Sequence, residues 1–180
     1  VYPQPMLTKL AFDNGDLILG LRDRYGDQTG HNVPNVPESR SAGDVLRACL
    51  TIPGNYASGW ALEHNGTCGD TTILAGRDTG KGPGNGQYYY QQYYKPFHDY
   101  TSTGGIAQIP GAPDMMTTAF DSGKIVYAGG VRTYSNTTSA ETNSYDIYNT
   151  NTAPTTFGKA SGLGDLVAFC QSAPIEIGDR

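Results

Sequence analysis

Four carboxylates, Asp13, Asp16, Asp23 and Asp27, gather around a tight Asp-Asn-Gly-Asp turn and the segment that follows it. Hard oxygen ligands on a tight loop can hold calcium, so calcium is the metal these residues would take. The spacing is not that of an EF-hand loop. The same side chains also suit turn chemistry, in which Asp and Asn cap their own backbone. Arg22 and Arg24 flank Asp23 and favour a salt-bridged strand end. No other cofactor is expected.

Other catalytic constellations fail on spacing. Asp78-Thr79-Gly80-Lys81-Gly82 resembles a phosphate loop in outline only, because Gly82 stands where a magnesium-binding Ser or Thr is needed. No G-x-S-x-G motif is present, and His31, His64 and His98 lie in separate loops. The chain therefore reads as a protein that is not an enzyme. A polysaccharide-acting site would need two facing carboxylates, which sequence alone does not place.

The three cysteines, Cys49, Cys68 and Cys170, fit no zinc pattern. A local Cys49–Cys68 disulfide is the preferred reading. The alternative is three small buried apolar side chains in a reducing compartment. Asn65-Gly66-Thr67 and Asn136-Thr137-Thr138 are glycosylation sequons, so Asn65 and Asn136 are candidate glycan acceptors. The run Gln87 to Tyr94 holds five tyrosines. On a strand, Tyr88, Tyr90 and Tyr94 would share one face. That face would stack on a sugar or a partner protein, or else pack on the core.

These residues need a β scaffold to position them. Strands are expected at 6–12, 17–24, 44–51 and 59–64, with Asn14-Gly15 as a type I′ turn. Further strands are expected at 105–109, 115–120, 125–134, 144–148 and 165–170. Residues 25–42 read as a loop, and no helix is convincing.

Ala11-Phe12-Asp13-Asn14-Gly15 is echoed by Ala119-Phe120-Asp121-Ser122-Gly123, and Gly43-Asp44-Val45-Leu46 by Gly164-Asp165-Leu166-Val167. Two echoes in the same order imply one β-rich unit written twice. The fold class is therefore all-β: antiparallel meanders forming two propeller-blade-like repeats with a long insertion. A β-sandwich is the alternative. The repeat units are placed at about 6–50 and 105–172, with the insertion at about 51–104. Residues 1–172 form a single domain, and 173–180 are a linker or the start of another. The first unit lacks an opening strand, so the chain is expected to lie inside a longer polypeptide or to borrow a strand.

Composition narrows the function. Net charge is −5, with only 12 basic residues, which argues against nucleic acid as a partner. Charged residues make up 16%, against roughly 25% in an ordinary globular domain. Twenty-four glycines and 13 tyrosines suit an extracellular β-protein rich in turns. No run of about 18 apolar residues exists, so no membrane span is expected.

Asp-Asn-Gly-Asp-Leu-Ile-Leu-Gly-Leu-Arg-Asp-Arg-Tyr-Gly-Asp-Gln (13–28), Gly-Pro-Gly-Asn-Gly-Gln-Tyr-Tyr-Tyr (82–90) and Thr-Phe-Gly-Lys-Ala-Ser-Gly-Leu-Gly-Asp-Leu (156–166) carry a family likeness. They resemble the ectodomain region that precedes collagen-adhesin B-type domains in large bacterial surface proteins. Residues 173–180 look like the start of such a repeat. The resemblance implies a cell-surface or secreted location and a structural or adhesive role, as part of an appendage, filament or surface layer. The runner-up is a carbohydrate- or ligand-binding module that uses calcium. Expected partners are other copies of the chain, flanking domains of a longer chain, or carbohydrate.

Overall fold

In the computed structural model, the described residues are 4–29, 34–35, 43–64, 66–68, 71–72, 88–92, 100–126, 128–149 and 163–169. They form two four-stranded antiparallel sheets and very little helix. The first sheet runs in the order β1 (Pro5–Asp13), β2 (Asp16–Asp23), β3 (Gly43–Leu50), β4 (Trp60–Leu62). Two short strands, β5 (Thr67–Cys68) and β6 (Thr71–Thr72), pair separately. The second sheet contains β7 (Ser102–Gln108), β8 (Asp114–Phe120), β9 (Gly129–Ser135) and β10 (Glu141–Tyr148) in the order β10-β9-β8-β7. Both sheets are simple meanders, as their strand and turn signals predict.

The first hairpin follows its turn chemistry. Asn14 and Gly15 adopt φ of 49° and 94°, and Asp13 pairs directly with Asp16. That is the positive-φ pair a two-residue type I′ turn requires. Tyr25 to Thr29, expected as loop, instead belong to a one-turn-and-a-half helix, α1 (Arg24–Thr29). Asp23 starts it by accepting the Tyr25 N–H, as N-cap carboxylates do.

Register divides each strand of the first sheet into two faces. Phe12, Leu17, Ala48 and Leu62 form one row across all four strands, and Leu10, Leu19 and Leu46 the next. The opposite face carries Ala11, Ile18 and Arg47 in one row. Ile18, Val45 and Cys49 on this face meet Ile106, Met115 and Tyr134 of the second sheet in one core, closed by Cys68, Tyr88 and Tyr89. The sheets touch through β7, which packs against β1, β2 and β3. Glycine permits that approach: a Cβ on Gly20 would lie 2.2 Å from the Gly104 carbonyl oxygen. The Thr8 hydroxyl sits at the seam, 2.9 Å from the Gly20 oxygen and 2.8 Å from the Gly104 oxygen.

The echoed segments occupy unlike places. Phe12 ends an edge strand and is 58% exposed, whereas Phe120 ends the internal strand β8 and is partly buried. The first block turns in two residues, while the second opens a longer connection over 121–128. The Gly43 block is the fully buried strand β3, but 163–169 is not a strand and Phe169 is 93% exposed. The latter segment is held where Lys9 Nζ meets the Asp165 carboxylate at 2.6 Å and the Leu166 carbonyl at 2.8 Å. Similar letters recur, but burial of the second copy's apolar face does not. Cys170 and residues 173–180 lie outside the described residues.

Candidate functional site

A charged residue inside a buried strand needs a counter-charge, because an unpaired ion in the core is prohibitively costly. Arg47, in the middle of β3, is such a residue. The hairpin turn supplies its partners. Arg47 Nη2 donates to Asp13 Oδ2 and Asp16 Oδ2, each at 2.8 Å, and Nε donates to Asp16 Oδ2 at 3.1 Å. The guanidinium also lies 5.1 Å from the centre of the Tyr88 ring, a cation–π distance. Burial opposes the charge on Arg47, but the neighbouring Tyr89 and Tyr88 and the two carboxylates outweigh it and hold its pKa above the ordinary value.

The pair is braced from several sides. Asp16 Oδ1 accepts the Leu50 N–H at 3.0 Å. Asp16 Oδ2 also lies 3.2 Å from Cys49 Sγ, which is bonded to Cys68. The preferred disulfide reading therefore holds, with Cα atoms 5.5 Å apart. Tyr88 donates to the Asn136 carbonyl at 2.5 Å, and Tyr89 donates to Asn136 Oδ1 at 2.7 Å. Burial pushes both tyrosine hydroxyls above their usual pKa, against the opposing influence of Arg47.

Together these residues wall a polar cleft of about 290 Å³. Asp13, Asn14, Asp16, Arg47 and Cys49 come from the first sheet, and Tyr88 lines the cleft beside them. Gly111 to Pro113, from the β7–β8 turn, and Asn136 and Thr137, from the β9–β10 turn, complete it.

Two further buried polar devices lie outside its lining. β4 ends at Leu62, so the main chain of β3 continues past its strand partner. There, Glu63 Oε1 accepts the Arg47 N–H at 3.0 Å, and Gln92 bonds both main-chain groups of Val45. Asp44, fully enclosed beside Gln92, has its pKa pushed up to about 7 by burial, against hydrogen bonds from the Val45 N–H and Gln92. In the second sheet, Arg132 is 0% exposed and donates to the Asp121 carbonyl at 2.6 Å and the Gln91 carbonyl at 3.1 Å.

The four-carboxylate calcium set is corrected. Asp13 and Asp16 face each other at the turn end of the first hairpin, and Asp23 pairs with Pro5 at its opposite end. Arg47 occupies the first two, Arg22 pairs with Asp27, and Asp23 accepts N–H bonds from Gln4 and Tyr25. Among the described residues, no cluster of three or more His, Cys, Asp or Glu could hold a metal ion.

The tyrosine platform is corrected too: residues 88–92 are not a strand, and Tyr88 is 2% exposed with its hydroxyl engaged. Tyr90 is partly buried, and Tyr94 lies outside the described residues. Asn136 is 8% exposed and its amide donates to Gln108 Oε1 at 2.8 Å, so the folded chain does not present it to a glycan-transferring enzyme. Asn65 lies outside the described residues. Arg47, Gln92 and Glu63 were missed. The signal for Arg47 is a lone cation in the otherwise uncharged run Val45 to Leu50.

Fold and cleft together define an all-β protein of two antiparallel sheets, tied by a disulfide, with a buried arginine–aspartate cluster between them. In sequence the chain is similar to three proteins of Dictyostelium discoideum. It is 37% identical to Colossin-A over 190 residues, 34% to Colossin-C over 182, and 32% to Colossin-D over 181. The matches cover 98%, 95% and 93% of this chain, but only 2%, 17% and 18% of the relatives, so it spans a small part of their length. No family model matches, and no solved structure matches. These relatives are eukaryotic, which overturns the resemblance to the region before collagen-adhesin B-type domains in bacterial surface proteins. Among the described residues, no helix is long and apolar enough to cross a membrane.

Proposed function

We propose that this chain is a non-catalytic structural module of a long extracellular protein, packing side by side with other β-modules. Its two sheets act as a sandwich rather than as propeller blades, and it forms one domain. The observation that carries the reading is the outer face of the first sheet. Phe12 and Trp60 come from its two opposite edge strands and meet with ring centroids 6.4 Å apart. Leu10, Leu62 and Tyr56 are exposed around them. Contiguous exposed apolar area of this kind marks a protein interface. The disulfide supports an oxidising location, and the far greater length of the relatives supports a modular context.

The test is sedimentation of the isolated chain across a concentration series. The chain should self-associate weakly through this face, and Phe12→Lys should make it monomeric while leaving its far-UV spectrum unchanged. A wild-type chain that stays monomeric at every concentration would reject the packing role.

A further inference from the structure

Resting on the packing role proposed above, we infer that β1 is a strand-addition edge. A second copy of this chain adds its own β1 there, antiparallel, across a two-fold axis centred on Ala11. Sheet edges leave main-chain groups unpaired unless something covers them, and the four edges here differ. β7 packs against the first sheet. β4 is three residues long, and Glu63 and Gln92 take the main chain of β3 beyond it. β10 shifts register near both of its ends. β1 is nine residues long and, among the described residues, has β2 as its only strand partner. From Lys9 to Asp13 it follows β2 without a shift, and its bulge and Pro5 lie before that stretch.

Hairpin geometry fixes which groups face outward. Asp13 and Asp16 close a two-residue turn and so form a hydrogen-bonded pair. Antiparallel pairs alternate, so Ala11 and Lys9 also bond β2, while Leu10 and Phe12 turn their N–H and C=O groups to the open edge. Among the described residues, no hydrogen bond from outside the hairpin reaches either main chain. Their side chains are 48% and 58% exposed. The charges that guard an edge are drawn elsewhere: Lys9 holds the Asp165 carboxylate and the Leu166 carbonyl, and Asp13 is held by Arg47.

This edge is complementary to itself. A two-fold axis at Ala11 sets Leu10 opposite Phe12 of the second copy, and Phe12 opposite its Leu10. These are the residues whose main-chain groups point outward, so both pairs exchange hydrogen bonds. Each pair also joins two exposed apolar side chains. Ala11 meets its own counterpart, and Lys9 falls opposite Asp13, so no like charges oppose each other. An axis at Leu10 would instead set Phe12 against Thr8, at the bulge. The contact uses the same surface on both copies and closes on itself. It joins the two first sheets into one and makes their outer apolar faces continuous.

The experiment is hydrogen exchange read by amide NMR at concentrations below and above association. The Leu10 and Phe12 amides should exchange freely in the monomer and slow about tenfold or more on association, while Ala11, already bonded to β2, changes far less. Ala11→Cys in a Cys170→Ser background is the second measurement. Directly opposed residues of a non-hydrogen-bonded pair have Cα atoms about 4.5 Å apart, within the roughly 4.4–6.8 Å that a disulfide spans. Mild oxidation should therefore link the two copies, and Thr137→Cys, at an exposed turn position, should not link in the same background. Should Ala11→Cys fail to fold, the wild-type exchange alone decides. A chain that stays monomeric at every concentration rejects the packing role and this pairing with it. A chain that associates and is dissociated by Phe12→Lys, yet leaves the Leu10 and Phe12 amides unprotected or Ala11→Cys unlinked, retains the packing role and overturns the β1 pairing.

Discussion

The side-chain amide of Gln92 pairs with the main chain of Val45 as a neighbouring strand would. Its Oε1 accepts the Val45 N–H at 3.1 Å and its Nε2 donates to the Val45 carbonyl at 3.2 Å. The same Nε2 also reaches Asp44 Oδ1 at 3.1 Å and the Tyr89 carbonyl at 3.0 Å. One glutamine thus caps the part of the β3 edge that β4 leaves unpaired and anchors the tyrosine segment to it. Gln92→Ala removes the donor to three buried oxygens. Each such loss costs about 1–3 kcal/mol before relaxation, so the variant should lose about 2–4 kcal/mol in urea unfolding. Gln92→Glu keeps an acceptor but sets a second carboxyl beside Asp44. It should be the worse of the two above neutral pH, and an equal loss at all pH values would refute the pairing.

Asp44 gives the fold a pH dependence with a definite sign. Its carboxyl sits at about 7 in the folded chain, against about 3.9 in an unfolded one. The folded state therefore holds the proton more tightly. The stabilisation is complete below about pH 4 and is lost as pH rises toward 7. The full swing from this group is about 4 kcal/mol at most. Asp44→Asn keeps the acceptor for the Val45 N–H and cannot ionise. The wild-type-minus-variant stability should fall between pH 4 and 8, and a flat difference would show that Asp44 is ionised throughout.

The strands and the first turn were legible because their signals are local. Asn14-Gly15 specifies its own turn, and short apolar runs on either side of it mark β1 and β2 as strands. What sequence could not show is which buried polar residues meet. Arg47 lies far along the chain from Asp13 and Asp16, and only the pairing of β1, β2 and β3 brings them together. The tyrosine run misled for the same reason. Its period suits a strand, but Tyr88 and Tyr89 are both drawn inward by the hydroxyl partners that Asn136 offers from a distant turn. The repeated blocks misled differently. Sequence likeness carried no information on whether 163–169 has a strand to pair with.

Arg47 tests the cleft's internal balance. Removing one partner of a buried ion pair leaves the other charged and unpaired, at roughly 3–5 kcal/mol. Arg47→Met should therefore be severely destabilising in thermal unfolding. Arg47→Lys should recover only part of the loss, because one ammonium cannot reproduce the forked contacts to Asp13 and Asp16. The triple change Asp13→Asn, Asp16→Asn, Arg47→Met should be less damaging than Arg47→Met alone, since it strands no charge. A triple variant at least as unstable as the single one would show that shape, and not charge pairing, sets the cost.

The disulfide closes a loop across 19 positions of sequence, and in the chain-entropy picture such a link contributes about 3 kcal/mol. Its surroundings make a further demand. Reduction would place the Cys49 sulfur as a thiol or thiolate next to Asp16 Oδ2, 3.2 Å away in the oxidised chain. The carboxylate repels both an incoming thiolate and a departing one, so exchange should be slow while the fold is intact. Asp16→Asn removes that repulsion. Treated with glutathione under native conditions, the wild-type chain should be reduced more slowly than the Asp16→Asn variant. The gap should close once both are unfolded in urea. Equal native rates would mean that Asp16 gives the bond no shielding, and its role would then be confined to holding Arg47 and the Leu50 N–H.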